Sequence, residues 1–304
     1  MDSEATVHYA RNGEVEIAYE TFGDLTGGEP LLLVMGLDFQ MVWWPEELIH
    51  QLVEAGFAVV RFDNRDTGLS THFPPTPSPN PWKALMGRTE PAYTAADMMR
   101  DALAVMDAVG WASAHVMGGS MGAGLAQGLA MDHPDRVRSL TSCMGLPVDA
   151  GPWRTLRYIR PQVFRTLRRI APGTTDEEQA EALVEIYRAI ASPGYPFPEE
   201  WARTAARVSQ ARAPRDPSTT QRQLAAGRAH RYPGLETITA PTLVVSGLDD
   251  PLIRWTGGRD TAARIPGARF VGYPGMGHNI PAELFPKVVE EVRRVTSPTS
   301  PRSA

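Results

Sequence analysis

The sequence predicts an α/β protein: a mostly parallel, doubly wound sheet with helices on both faces and a helical insertion late in the chain. Three observations carry this. Short apolar runs at 31–35, 58–62, 114–117, 243–246 and 269–271 have the length and composition of strands buried on both faces. Helical stretches at 45–55, 94–109, 121–131, 257–264 and 284–295 alternate with them. Between 147 and 236 the alternation stops, and arginine-rich helical segments separated by Pro172-Gly173 and Pro193-Gly194 take its place.

At the start, Val15, Ile17 and Tyr19 alternate with Glu14, Glu16, Ala18 and Glu20, the period-two pattern of a strand with one wet face. An antiparallel edge ribbon is expected there. Thr94 followed by Asp97 reads as a capping box at the second helix, and Pro134 closes the third. The proline-rich stretch 72–91 is expected to be a long surface loop, and 297–304 a frayed tail. The insertion lies between a strand ending near Met144 and one beginning near Thr242. Both its ends therefore emerge on the same edge of the core, where ligands of open α/β sheets bind. The expected division is a core of 1–146 and 237–304 with a cap, or lid, of 147–236.

Composition bounds the function. The 304 residues are 42% hydrophobic and 21% charged, enough apolar material for a sizeable core. A formal net charge of -5 gives no basic excess to neutralise phosphates, so no nucleic-acid partner is expected. Cys143 is the single cysteine; it excludes an internal disulfide, and no Cys/His cluster offers a structural zinc site. Residues 1–20 lack the basic flank and apolar block of an export signal, and no apolar run reaches the roughly 20 residues of a membrane span. A soluble cytoplasmic protein with a small-molecule ligand is the expectation.

The strongest local signal is Gly118-Gly119-Ser120-Met121-Gly122, set directly between a strand and a helix. A serine thrust out on so tight a turn needs neighbours without side chains, because Gly118 and Gly122 pass close together as the backbone reverses. The amino end of the new helix favours negative charge developing at the serine. A serine hydroxyl is a poor nucleophile until a base takes its proton. Of seven histidines, His278 is the candidate, because Pro274-Gly275-Met276-Gly277 delivers it after the last strand; the other six read as surface or packing residues. Its orienting acid belongs on the loop Gly247-Leu248-Asp249-Asp250-Pro251, where Asp250 is favoured and Asp249 is the alternative. Two backbone N–H groups, of Met121 and of Leu37 in Met35-Gly36-Leu37, are expected to hold the negative oxygen of a tetrahedral intermediate.

With these residues in view, the chain resembles the α/β-hydrolase superfamily from about Val15 to Val295, and most of all the aclacinomycin methylesterase group of polyketide-tailoring esterases. The likeness rests on the blocks 31–36, 62–70, 118–122, 241–251 and 274–278. The chain departs from that group at Gly119, where a bulkier residue is usual, and at Leu37, where glycine is usual. The resemblance implies Ser120, Asp250 and His278 as a catalytic triad, a carboxylic ester as substrate and no metal or organic cofactor. It also implies a structural role for Arg65 in Arg65-Asp66-Thr67-Gly68, as a paired buttress beside the oxyanion loop.

Two other readings stand beside the ester hydrolase. One is an aminopeptidase of the proline iminopeptidase type, which needs cap carboxylates such as Glu199 and Glu200 aimed at a substrate amine. The other is a ligand-binding protein on the same scaffold, without turnover. Trp153, Tyr158, Phe164, Tyr195, Phe197 and Trp201 supply aromatic surface in the cap, and Trp43 and Trp44 follow the oxyanion loop. Trp43, Trp153 and Trp201 are the candidate substrate contacts, weighed against a purely packing role for the cap aromatics.

Overall fold

The computed structural model describes residues 6–75, 80–171 and 173–297. Residues 76–79 of the proline-rich stretch, Pro172 of the first Pro-Gly turn, the first five residues and the tail beyond Ser297 lie outside them.

The sheet has eight strands: β1 (His8–Asn12), β2 (Val15–Phe22), β3 (Glu29–Val34), β4 (Phe57–Phe62), β5 (Ala114–Gly119), β6 (Val137–Cys143), β7 (Thr242–Gly247) and β8 (Arg269–Tyr273). Their order is β1-β2-β4-β3-β5-β6-β7-β8. β1 and β2 form the expected antiparallel ribbon, β2 joins β4 antiparallel, and every later pairing is parallel. β4, β5 and β7 are buried along their whole length, which is why they read as mostly apolar runs rather than alternations; Arg61 within β4 is buried in an ion pair with Glu20 at 2.6 Å.

Side chains alternate between two cores. Leu32, Val34, Val60 and Val116 face α3 (Ala95–Ala108) and α4 (Met121–Asp132), packing on Met98, Val105 and Leu129. Leu31, Leu33, Val59 and Val245 face α1 (Glu46–Glu54) and α11 (Phe285–Thr296), packing on Leu48, Leu52, Val288 and Val292. Each such side chain taken out of water contributes roughly 1.5–3 kcal/mol. α11 buries Phe285, Val288, Val289 and Val292, the i, i+3, i+4, i+7 stripe of a surface helix. α10 (Trp255–Arg264) lies between β7 and β8 in sequence. The Thr94–Asp97 capping box is formed at α3 in both directions.

The stretch 72–91 is not wholly loop. Asn80 caps a short helix, α2 (Pro81–Leu85), by accepting from the Lys83 N–H, and Pro81 at its start needs no intrahelical partner. Between β6 and β7 come five helices: α5 (Pro152–Tyr158), α6 (Gln162–Leu167), α7 (Asp176–Ile190), α8 (Glu199–Arg212) and α9 (Thr219–Ala229). α7 starts in a second capping box, Thr175 with Glu178.

Buried ion pairs tie these helices to the loops at the carboxyl ends of the strands. Arg212 of α8 reaches Asp63 at 2.6 Å, and Arg222 of α9 holds both oxygens of Asp66 at 2.7 and 2.9 Å. Arg65 is a buttress as expected, but its partner is Asp101 of α3, held by two bonds of 2.6 and 2.7 Å, and not the adjacent Asp66. Removing one member of such a pair strands the other charge in a dry site, at a cost of about 3–5 kcal/mol.

Candidate active site

Ser120 sits where β5 turns into α4, at φ 56° and ψ −116°, a conformation a side chain rarely adopts. The turn is held by the Ser120 N–H donating to the Cys143 carbonyl at 2.9 Å. Its glycines are required by contact. A Cβ on Gly118 would stand 2.1 Å from the Gly122 carbonyl oxygen, and one on Gly122 would stand 2.1 Å from that of Val34. Gly119 differs, because a Cβ there meets nothing nearer than Trp44 at 3.6 Å.

His278 follows β8 on the loop 274–278 and is almost fully buried. Its Nε2 lies 2.9 Å from Ser120 Oγ and its Nδ1 lies 2.7 Å from Asp250 Oδ2. The other Asp250 oxygen accepts from the N–H groups of Leu252 and Ile253 at 2.7 and 2.8 Å, so the carboxylate has one orientation. Asp249 points elsewhere: its Oδ2 accepts from the Gly275 N–H at 2.7 Å, pinning the start of the histidine loop. The three candidate side chains thus come together from loops 158 and 28 residues apart in the chain.

Met121 is the first residue of α4, and Leu37 lies on the loop after β3, whose Gly36 abuts the serine: a Cβ on Gly36 would be 3.2 Å from Ser120 Cβ. That loop is tied to α9. Gln223 Oε1 accepts from the Asp38 N–H at 2.9 Å, and the Asp38 carboxylate takes a 2.6 Å bond from Thr220 and an ion pair with Arg215. Burial raises the Asp38 pKa, with Arg215 opposing it. Asp38 itself stands at φ 64°, so these contacts hold a strained backbone beside Leu37.

Ser120 and His278 open into a cavity of about 1090 Å³. Both the core and the inserted segment wall it: Trp43, Trp44 and Met144 come from the core, and Phe164 of α6, Tyr187 of α7, Gln223 of α9 and Tyr232 from the insertion. Of the three tryptophans expected to contact substrate, only Trp43 reaches the cavity. Trp153 is 74% exposed and does not line it. It stands in the first turn of α5, directed to solvent rather than inward. Trp201 lies behind Trp43, edge to face at 5.7 Å, in a cluster with Tyr187 and Phe197 that packs the helices onto the core. Trp43 is anchored there by donating from Nε1 to Ser209 Oγ at 2.9 Å. Of the six aromatics singled out from the sequence between 147 and 236, Phe164 alone lines the cavity.

Glu199 pairs with Arg188 and Arg203, and neither it nor Glu200 lines the cavity. Among the described residues Asp38 is the one carboxylate in the cavity wall, and Arg215 and Thr220 occupy it. Among the described residues, no carboxylate free of such partners lines the cavity for the substrate amine of an aminopeptidase. No helix among the described residues is long and apolar enough to cross a membrane.

Gln223, Tyr187 and Tyr232 had no signal in the sequence as site residues. Gln223 and Tyr187 are ordinary helical positions and Tyr232 lies just past α9; long-range packing brings each to the cavity wall.

Known proteins share both fold and sequence with this chain. The rhodomycin D methylesterase of Streptomyces peucetius is 31% identical over 287 residues, covering 89% of this chain and 91% of that protein. A putative carbamate hydrolase of Caulobacter vibrioides is 28% identical over 264 residues, covering 84% and 86%. The crystal structure of the enol-lactonase from Burkholderia xenovorans superposes with a TM-score of 0.70 at 24% identity, over 96% of this chain and 100% of that one. The sequence pattern of the α/β-hydrolase fold matches residues 29–283. With that match spanning β3 to β8, the serine turn and the histidine loop, the chain belongs to the α/β-hydrolase family.

Proposed function

We propose that the protein hydrolyses a carboxylic ester through an acyl-enzyme formed on Ser120. The observation that carries this reading is the unbroken chain Ser120 Oγ, His278, Asp250, with contacts of 2.9 and 2.7 Å, opening into the cavity. Ser120 Oγ attacks the ester carbonyl as its proton passes to His278 Nε2, and Asp250 accepts from Nδ1 and steadies the imidazolium. The oxyanion takes the N–H groups of Leu37 and Met121. Collapse expels the alcohol, which receives the proton from His278. Water then attacks the acyl carbon as His278 takes its proton; the bond to Ser120 Oγ breaks, Ser120 regains that proton from His278, and the acid leaves.

The cavity speaks for a bulky acyl part. At about 1090 Å³ it lies just above the roughly 300–1,000 Å³ usual for small-molecule sites. Its wall of tryptophan, tyrosine, phenylalanine and methionine side chains suits a flat apolar ring system. Together with the methylesterase relatives, this favours a methyl ester on an aromatic polyketide acid. The helices between 147 and 236 act as the cap that shapes this space. The test is methanol release from methyl-esterified aromatic polyketides and turnover of short p-nitrophenyl esters, with wild type and Ser120→Ala. A fluorophosphonate should label Ser120 alone. Undiminished turnover by Ser120→Ala, or labelling at another residue, would refute the reading.

A further inference from the structure

The segment that follows α7 grips the loop that carries His278. The His278 N–H donates to the Ile190 carbonyl at 2.9 Å, and the Gly194 N–H donates to the Gly275 carbonyl at 2.9 Å. Between them stands Ser192, 7% exposed. Its Oγ accepts from the Gly277 N–H at 2.8 Å and lies 2.8 Å from Asn279 Oδ1, to which it donates; its own N–H donates to the same Oδ1 at 2.7 Å. One hydroxyl therefore bridges the residues immediately before and after the imidazole. The two segments touch backbone to backbone. A Cβ on Gly277 would stand 2.4 Å from the Ala191 carbonyl oxygen, and one on Gly194 would stand 2.5 Å from Gly275 Cα. From the core the loop is held by Asp249, whose Oδ2 accepts from the Gly275 N–H and whose N–H donates to the Met276 carbonyl at 3.1 Å, and by Gly247, whose Cβ would be 2.3 Å from the Gly277 and Met276 carbonyl oxygens.

We propose that Ser192 is a positioning residue for His278, its hydroxyl fixing the residues on either side of the ring so that Nε2 and Nδ1 stay in reach of Ser120 and Asp250. The proposal rests on the reading of those three as the catalytic machinery. It makes the helical insertion part of the apparatus that performs the chemistry, besides a wall around the substrate. A displacement of about 1 Å in a reacting group costs roughly a hundredfold in rate. Loss of the hydroxyl strands the buried Gly277 N–H and removes one of the two Ser192 groups that hold Asn279.

The experiment compares wild type, Ser192→Ala, Ser192→Thr and Ser120→Ala on a p-nitrophenyl ester. It records kcat, KM, the pH profile of kcat/KM, the rate of fluorophosphonate labelling and Tm. Ser192→Ala is expected to lower kcat and the labelling rate by about 10- to 100-fold, with KM within about threefold. Its acid limb should move to lower pH, because an imidazolium held less firmly against Asp250 is less stabilised. Ser192→Thr keeps the hydroxyl and should stay within about threefold of wild type. A folded Ser192→Ala with wild-type kcat and acid limb overturns the proposal. So do equal losses in the alanine and threonine variants, which would make packing, not the hydroxyl, the cause. If the alanine variant does not fold, Ser192→Cys, of similar size and with a weak acceptor, takes its place with the same criterion. Activity persisting in Ser120→Ala would instead overturn the underlying reading, whereas an inactive Ser120→Ala beside a wild-type-like Ser192→Ala would overturn the positioning role alone.

Discussion

Exchanging each of the two adjacent aspartates for asparagine separates their roles sharply. Asp250 spends one oxygen on the Leu252 and Ile253 N–H groups, at 2.7 and 2.8 Å, and the other on His278 Nδ1 at 2.7 Å. In Asp250→Asn the amide oxygen must stay on the two backbone donors, so the NH2 group faces Nδ1. Nδ1 then has to accept, the ring proton moves to Nε2, and Nε2 can no longer take the Ser120 proton. A wrong tautomer of this kind costs about 10^4 in kcat. At 1.36 kcal/mol per tenfold, that is about 5.4 kcal/mol of transition-state stabilisation. Asp249→Asn keeps an oxygen for the Gly275 N–H, so only the difference between a charged and a neutral acceptor is lost, and kcat should fall less than about tenfold. Burst and steady-state kinetics on a p-nitrophenyl ester measure both, with circular dichroism and Tm to verify folding. The reasoning fails if Asp250→Asn keeps kcat within tenfold of wild type, or if Asp249→Asn is the more damaging.

Gly118→Ala should lose at least about 2 kcal/mol of stability and most activity, because its Cβ falls 2.1 Å from the Gly122 carbonyl oxygen. Gly119→Ala, with 3.6 Å of room, should fold with nearly unchanged Tm; a similar loss in both, by thermal melting, would count against the geometry of the turn. Trp153→Ala should leave stability within about 0.5 kcal/mol and leave the preference for bulky over small esters unchanged, since that side chain is 74% exposed. A tenfold change in that preference, read from kcat/KM on the two ester classes, would return Trp153 to the site. Burial pushes the His115 pKa down to about 4, against an ordinary value of 6.5. Below pH 6.5 the unfolded chain takes up a proton that the folded chain refuses until about pH 4, so this group lowers stability as pH falls through that window. Urea titrations at pH 7 and pH 5 should therefore show a smaller loss in His115→Gln than in wild type, and an equal loss would refute it.

The sequence by itself determined the doubly wound core, Ser120 and His278 as candidates for nucleophile and base, and the loop that carries their acid. The reason is local. A strand buried on both faces must be largely apolar, as β4, β5 and β7 are, and a charged side chain such as Arg61 enters only with a partner, Glu20. A serine on a turn this tight must be flanked by glycines, as Gly118 and Gly122 show by contacts of 2.1 Å. Both demands are written in a few consecutive residues. Whether Asp249 or Asp250 meets the imidazole was decided only by the tertiary structure, since both lie on one turn and differ in which way each side chain leaves it. The aromatics between 147 and 236 show the same limit. Trp153, Phe164 and Trp201 look alike in sequence, yet one faces solvent, one the cavity and one the back of Trp43, because the way five helices pack decides which face of each is turned inward. Ser192 and Gln223 carry no motif at all. Each acts on a loop far away in the chain, Ser192 on 277 and 279 and Gln223 on 38, and such contacts exist only once the insertion has folded back over the carboxyl ends of the strands.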